Sequence, residues 1–205
     1  YMLQKAELYL MRKMKDRAIR ELQKVDKVLQ DDNPHLLTLA NLLLRVEQPE
    51  FAKRTISRAT AALPDNQYLS EQFVRLHIIT GDFDVAGAKL VALRKAHPDD
   101  IGLMILEGDF YSAQNDHQTA GDKFAAILAL HPEHNIALAK YYQVTLEGVH
   151  LDTFSDILTT LLENNPDNHF QRNILADHLV NIGQYEKARP HYEMLVEKED
   201  LPNYI

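Results

Sequence analysis

The chain of 205 residues holds 10 histidines and 30 acidic residues. Metal ligation and general acid–base work are therefore the first chemistries to weigh. The densest cluster is His131-Pro132-Glu133-His134. A zinc site needs such ligands to converge, commonly as two histidines one helical turn apart. Pro132 breaks the continuous helix that would put His131 and His134 on one face, and no His-Glu-x-x-His occurs. His97 stands before Pro98 as His131 stands before Pro132, so both read as parts of a turn. The paired carboxylates Asp31-Asp32, Asp99-Asp100 and Glu199-Asp200 also fall at predicted turns. Capping and solvation account for them better than catalysis does. Glu107 is the one acid expected near a helix interface, where it either meets a polar neighbour or water or marks a site. There is no Gly-x-Ser-x-Gly, no phosphate-binding glycine loop and no dinucleotide fingerprint. With 0 cysteines, disulfides, thiolate nucleophiles and Cys-ligated zinc are excluded. The chain reads as a non-enzyme without cofactor or metal.

The turns that hold these residues recur. Pro64, Pro98, Pro132 and Pro166 stand 34 residues apart. Each opens the same short phrase: Pro64-Asp65-Asn66, Pro98-Asp99-Asp100, Pro132-Glu133-His134 and Pro166-Asp167-Asn168. Proline stops the preceding helix because it lacks an N–H and clashes with the turn before it. Asp or Asn just beyond accepts bonds from the free N–H groups of the next helix. Twelve residues before the first three prolines come Ala52, Ala86 and Ala120, each followed four residues later by Ile56, Leu90 or Phe124. Ala18 with Leu22 and Ala188 with Tyr192 repeat the pair. Residues i and i+4 share a helix face, and the small member lets a neighbouring helix come close. Thr80-Gly81-Asp82 and Ile182-Gly183-Gln184 supply a turn midway between proline phrases, where glycine tolerates positive φ. Each unit thus reads helix, tight turn, helix, and a period of this size means stacked supersecondary units.

The register resembles the tetratricopeptide repeat (TPR). Gly108-x-x-Tyr111 with Ala120-x-x-x-Phe124 and Pro132 matches it best. Leu175-Ala176, the run from Gly183 to Ala188, and Tyr192 match nearly as well. The resemblance covers the whole chain and implies an all-α fold, an α-solenoid of stacked helix-turn-helix repeats forming a right-handed superhelix. Units are expected at 33–66, 67–100, 101–134, 135–168 and 169–202, after a partial unit at 1–32, as one array. Tyr1 starts inside a predicted helix, and Leu201-Pro202-Asn203-Tyr204-Ile205 reads like the start of another unit. A piece of a longer array is therefore expected.

Unit 135–168 departs from the pattern. Phe154 replaces the small alanine, Tyr142 stands where Gly or Ala belongs, and Gly148-Val149-His150 replaces the Gly turn. Two bulky residues at close-approach positions should widen that helix pair or change its angle. Pro190 falls inside a predicted helix and should kink it.

Net charge is −8, with +4 in residues 1–60 and −12 in residues 61–205. The acidic bulk argues against nucleic acid as a partner. Arg12, Lys13, Lys15, Arg17, Arg20, Lys24 and Lys27 form a basic stretch, either a solvated helix face or a docking patch for an acidic partner or a neighbouring acidic array. No apolar run approaches the roughly 20 residues of a membrane span, so no membrane contact by this chain is expected. The longest apolar stretch, Leu36 to Leu44, reads as a buried helix.

The TPR resemblance implies that the first helix of each unit lines a concave groove. The candidate partner-binding residues are Asn41, Arg45, Tyr68, Glu71, Arg75, Asp109, Gln143, Phe170, Asn173 and Asp177. This varied, mostly polar stripe suits an extended peptide or a helix of a protein partner. Successive groove centres read Asn41, Arg75, Asp109, Gln143 and Asp177. The family's Lys/Asn/Arg clamp for chaperone C-terminal carboxylates is not matched, because the acids would repel a carboxylate. A narrower resemblance covers about the last unit. Arg172 to Leu179, Gly183 to Ala188, His191-Tyr192-Glu193 and the residues up to Asn203-Tyr204-Ile205 look like the TPR-repeat lipoprotein of bacterial PEP-CTERM and exopolysaccharide export systems. That resemblance implies a periplasmic or outer-membrane-anchored location and a role in exopolysaccharide-linked sorting; without it, a cytoplasmic location stands. The main expectation is a non-catalytic protein-interaction scaffold. The alternatives are the regulatory or docking region of an enzyme whose catalytic domain lies elsewhere, and a polysaccharide groove using Tyr68 and Phe170. Oligomeric state is not legible.

Overall fold

A computed structural model describes residues 1–199. Among them are twelve helices and no strand. They pair in chain order as α1 (Met2–Met11) with α2 (Lys15–Val28), α3 (His35–Arg45) with α4 (Pro49–Ala62), and α5 (Gln67–Ile79) with α6 (Phe83–Ala96). Then come α7 (Ile101–Ala113) with α8 (His117–Leu130), α9 (Asn135–Thr145) with α10 (Leu151–Asn164), and α11 (His169–Asn181) with α12 (Tyr185–Glu199). The fold is an all-α array of helix-turn-helix repeats. The chain divides into two compact units, unit 1 of Tyr1–Leu106 and unit 2, which begins at Glu107. Pro202, Asp200 and the segment read as a further unit lie outside the described residues.

The proline phrases work as stop and start. Helices end just before Pro64, Pro98, Pro132 and Pro166. The third residue of each phrase accepts a bond from the backbone of the helix that follows: Asn66 from Leu69 N at 3.0 Å, Asp100 from Leu103 N at 3.0 Å, His134 from Ala137 N at 3.2 Å and Asn168 from Gln171 N at 3.0 Å. Each satisfies one N–H that the helix itself leaves unpaired. His134 is therefore engaged as a cap, and Asp100 also accepts from Gln67 Nε2 at 2.8 Å. The Gln67 bond, then the Leu103 amide, hold the Asp100 carboxyl below its usual range.

Two columns of small residues bring the helices together. Ala6, Ala40 and Ala176 on first helices and Ala18, Ala52, Ala86 and Ala120 on second helices are each 0% exposed. Gly108 takes the same column in α7, and a Cβ there would lie 2.5 Å from the Phe124 ring. The α7–α8 hairpin therefore closes only because position 108 has no side chain. Glu107, beside it, holds Lys123 at 2.8 Å. Unit 1 adds ion-pair ties: Arg58 holds Asp26 at 2.6 Å and Asp31 at 2.7 Å, and Lys53 holds Asp82 at 2.7 Å.

The midway turns share a backbone feature that glycine content alone conceals. Lys13, Glu47, Gly81, Asn115 and Gly183 all have positive φ, 57°, 58°, 80°, 62° and 77°, and neighbours are separated by 34 residues or twice that. The α9–α10 turn breaks the series, with φ of 82° at Gly148 and 56° at His150. Pro190 lies within α12, which continues past it.

The α9–α10 hairpin is also where packing changes. Its two backbones approach each other at fewer places than those of α3–α4 or α5–α6, whereas α9 packs closely on α8. Phe154 is 0% exposed, with its ring 4.9 Å from Tyr141 and 5.0 Å from His178. A phenyl ring where other units carry a methyl group holds the backbones apart, as expected from the sequence.

Candidate functional site

The predicted groove residues all lie on first helices, but they do not share one fate. In unit 1, α3 presents Asn41 and Arg45 exposed, and α5 presents Tyr68 61% exposed. Glu71 is half-buried and accepts from Gln67 Nε2 at 2.9 Å. Arg75, one turn on, is half-buried. A large ring at the surface beside tethered charges offers apolar area at low entropic cost to a partner.

In unit 2, Asp109 of α7 and Gln143 of α9 meet at a cavity of about 200 Å³, with Ser112, His117, Lys140 and Glu147. Lys140 Nζ donates to Asp109 Oδ1 at 2.6 Å, with both side chains partly covered. Asp109 is therefore not a loose surface acid. The cavity offers hydroxyl, imidazole, amide and carboxylate groups around one ion pair, on a floor that includes Phe124 and Val144. Such a set can hydrogen-bond a peptide backbone and take a small side chain.

On α11, Phe170 is 42% exposed and Asn173 is exposed. Asp177 is bound from two sides: Tyr192 O–H donates at 2.5 Å and Asn173 Nδ2 at 3.2 Å. The bond to Asp177, then burial, pushes Tyr192 up to about 12. Asp177 thus serves the α11–α12 hairpin, a structural duty that the sequence reading did not assign to it. Ile105, one helical turn before Asp109 on α7, is 8% exposed and belongs to the core.

Sequence reasoning missed Lys140, His117 and Glu147. A signal for Lys140 existed: it lies one helical turn before Gln143, so adjacent first helices carry opposite charges at neighbouring levels. It also missed a buried polar cluster around Phe154. His150 Nδ1 meets Tyr141 O–H at 3.0 Å, and its Nε2 lies 3.0 Å from the Gln118 carbonyl. A neutral imidazole satisfies both if Nε2 carries the proton. The ring covers Gly121, where a Cβ would fall 2.7 Å from it. Burial pushes Tyr141 up to about 12. His178 Nε2 bonds the Leu151 carbonyl at 2.9 Å, and burial lowers its pKa.

The fold these hairpins define is that of tetratricopeptide-repeat proteins. A tetratricopeptide repeat protein from Parabacteroides merdae ATCC 43184 is similar, with a TM-score of 0.58 and 17% identity over 98% of this chain and 80% of that one. MamA from Desulfovibrio magneticus RS-1 superposes with a TM-score of 0.56 and 16% identity, over 80% of this chain and 93% of its own. YrrB, described as a TPR protein with an unusual peptide-binding site, gives 0.51 and 14% over 86% and 91%. No protein-family profile matches the sequence, and no curated protein is similar to it. No helix among the described residues is long and apolar enough to cross a membrane.

Proposed function

We propose that the chain is a non-catalytic protein-binding scaffold that takes an extended polypeptide along its first helices. The observation that carries this reading is the cavity around the Asp109–Lys140 pair. It is lined by the first helices α7 and α9 together with His117 and Phe124 of α8, and its groups suit a peptide. Phe170, exposed on α11 of the same compact unit, is an apolar anchor, and Tyr68 holds the equivalent place on α5 of the other. Charges there set specificity and association rate more than affinity. YrrB, a protein of this fold with a peptide-binding site, supports the reading by analogy. The resemblance read in the sequence of the last repeat, which the comparisons do not support, is the sole ground for extending the proposal to exopolysaccharide-linked sorting in the bacterial envelope, and fractionation of the source cells checks the location.

Selection from a random peptide library tests the binding face. Exchanging the pair (Asp109→Lys with Lys140→Asp) keeps the ion pair but reverses its field, and should change the charge pattern of the selected peptides. Exchanging the turn acids (Asp99→Lys with Glu133→Lys) should leave the selection unchanged. If the turn exchange alters selection and the pair exchange does not, binding is elsewhere.

A further inference from the structure

The second helices of unit 2 carry a separate feature. Between α8, the Pro132 turn and α10 lies a cleft of about 360 Å³. Its walls are Ala125, Leu128 and Ala129 on one side and Ile157, Thr160 and Leu161 on the other. On its two sides α8 packs on α9 and α10 packs on α11. Two polar side chains of α10 that line it are turned to their own helix, while the Asp156 carboxylate stands exposed at its wall. Thr160 Oγ1 donates to the Asp156 carbonyl at 2.9 Å, and Asn164 Nδ2 to the Thr160 carbonyl at 3.0 Å. The cleft therefore suits an apolar guest.

Its surroundings specify the guest further. Residues 117–164 contain six acids and two lysines. Lys123 is tied to Glu107 and Lys140 to Asp109, whereas Asp122, Asp152, Asp156 and Glu163 are exposed on α8 and α10. A guest with apolar tips set among cations fits both the walls and the field.

The turn between α1 and α2 is such a segment. Met11 is 78% exposed and Met14 36% exposed, and Arg12, Lys13 and Arg17 around them are exposed. Lys13 holds the left-handed conformation that turns the chain there, with φ of 57°. Methionine is unbranched and fills irregular apolar gaps. We propose that this turn of one copy docks in the α8–α10 cleft of a second copy. The contact is heterologous, so each copy keeps one turn and one cleft to offer, and association continues copy on copy. One turn in one cleft is a small interface, so the assembly is weak and reversible. Its cation-to-carboxylate steering fades as salt shortens the Debye length to about 8 Å at physiological ionic strength. This lies on the second helices and does not depend on peptide binding by the first.

Sedimentation velocity over a concentration series tests it on the purified chain. At low salt the wild type should show species larger than a monomer that grow with concentration and recede as salt is added. A turn variant (Met11→Asp with Met14→Asp) and a cleft variant (Ala129→Lys with Asp156→Lys) should each remain monomeric. All four positions are exposed, and helical melting curves check that each variant folds. Mixed in equal amounts, the two should form a heterodimer that grows no further, since one retains the cleft and the other the turn. A wild type that stays monomeric overturns the proposal and leaves the cleft to a foreign basic segment. Variants that still assemble, or a mixture that stays monomeric, overturn it equally.

Discussion

The hairpins α3–α4 and α9–α10 obey the same period and solve the packing problem in opposite ways. In α3–α4, Ala40 and Ala52 are 0% exposed and let the backbones meet. Its buried threonines bond locally: Thr55 Oγ1 donates to the Phe51 carbonyl at 2.9 Å and Thr60 Oγ1 to the Ile56 carbonyl at 2.8 Å. In α9–α10, Tyr142 and Phe154 take those two places, and the backbones stand apart. The space is filled by Phe154, Tyr141 and two histidine rings, each hydrogen-bonded across the hairpin or to a neighbouring one. A repeat can thus exchange close backbone approach for an aromatic core, provided that every buried polar atom it brings is matched. On the second-helix side of this irregular hairpin lies the cleft between α8 and α10.

The comparison breaks most visibly at Phe154. Phe154→Ala restores the regular residue type but not the regular packing, because Tyr142 and the histidines remain. We expect a loss of about 3–5 kcal/mol, as for other buried Phe→Ala changes, read from chemical denaturation. Ala52→Phe in the regular hairpin should also destabilise, by overpacking. If Phe154→Ala instead stabilises the chain, the aromatic hairpin is a strained version of the regular one and not a second solution.

Gly108→Leu probes the closest approach in the array. A Cβ at that position already meets Phe124 at 2.5 Å, so the cost should be about 1–3 kcal/mol. An unchanged melting temperature would mean that α7 and α8 slide apart freely and that tight packing is not what holds regular hairpins.

The smallest expected effect is on pH dependence. Burial lowers the pKa of His178, against the opposing pull of its bond to Leu151 and of nearby Asp152. Burial likewise lowers His77 in unit 1, against the pull of Asp82. Both are neutral in the fold, while the unfolded chain takes up protons near pH 6.5. Their contribution is complete above about pH 6.5 and is lost as pH falls toward the lower folded values. His178→Gln, which retains a donor for the Leu151 carbonyl, should flatten the fall in melting temperature between about pH 7 and 5. An identical slope in the variant would show that His178 takes no part.

Much of the fold was legible because its signals are local. Proline phrases, caps and small residues recur at fixed spacing, and each acts on its own few residues of backbone. Non-glycine turns were not legible: Lys13, Glu47 and Asn115 adopt left-handed φ although nothing in their residue types announces it for Lys and Glu. The stripe of candidate residues lies on first helices, yet residue type could not reveal that Asp177 holds Tyr192 or that Asp109 holds Lys140. Those partners come from helices 15 and 31 residues away.

The sequence by itself determined an all-α repeat, its period, its stops and starts, and the hairpin that would differ. Those features follow from backbone sterics and helix-terminal hydrogen bonding, which act over a turn or two of chain. Only the tertiary structure decided which polar residues are spent inside the repeats and which stay exposed at the surface. It also decided that His150 and His178 complete an aromatic core, and that a cleft opens behind it. These depend on distances between helices that a one-dimensional period does not contain.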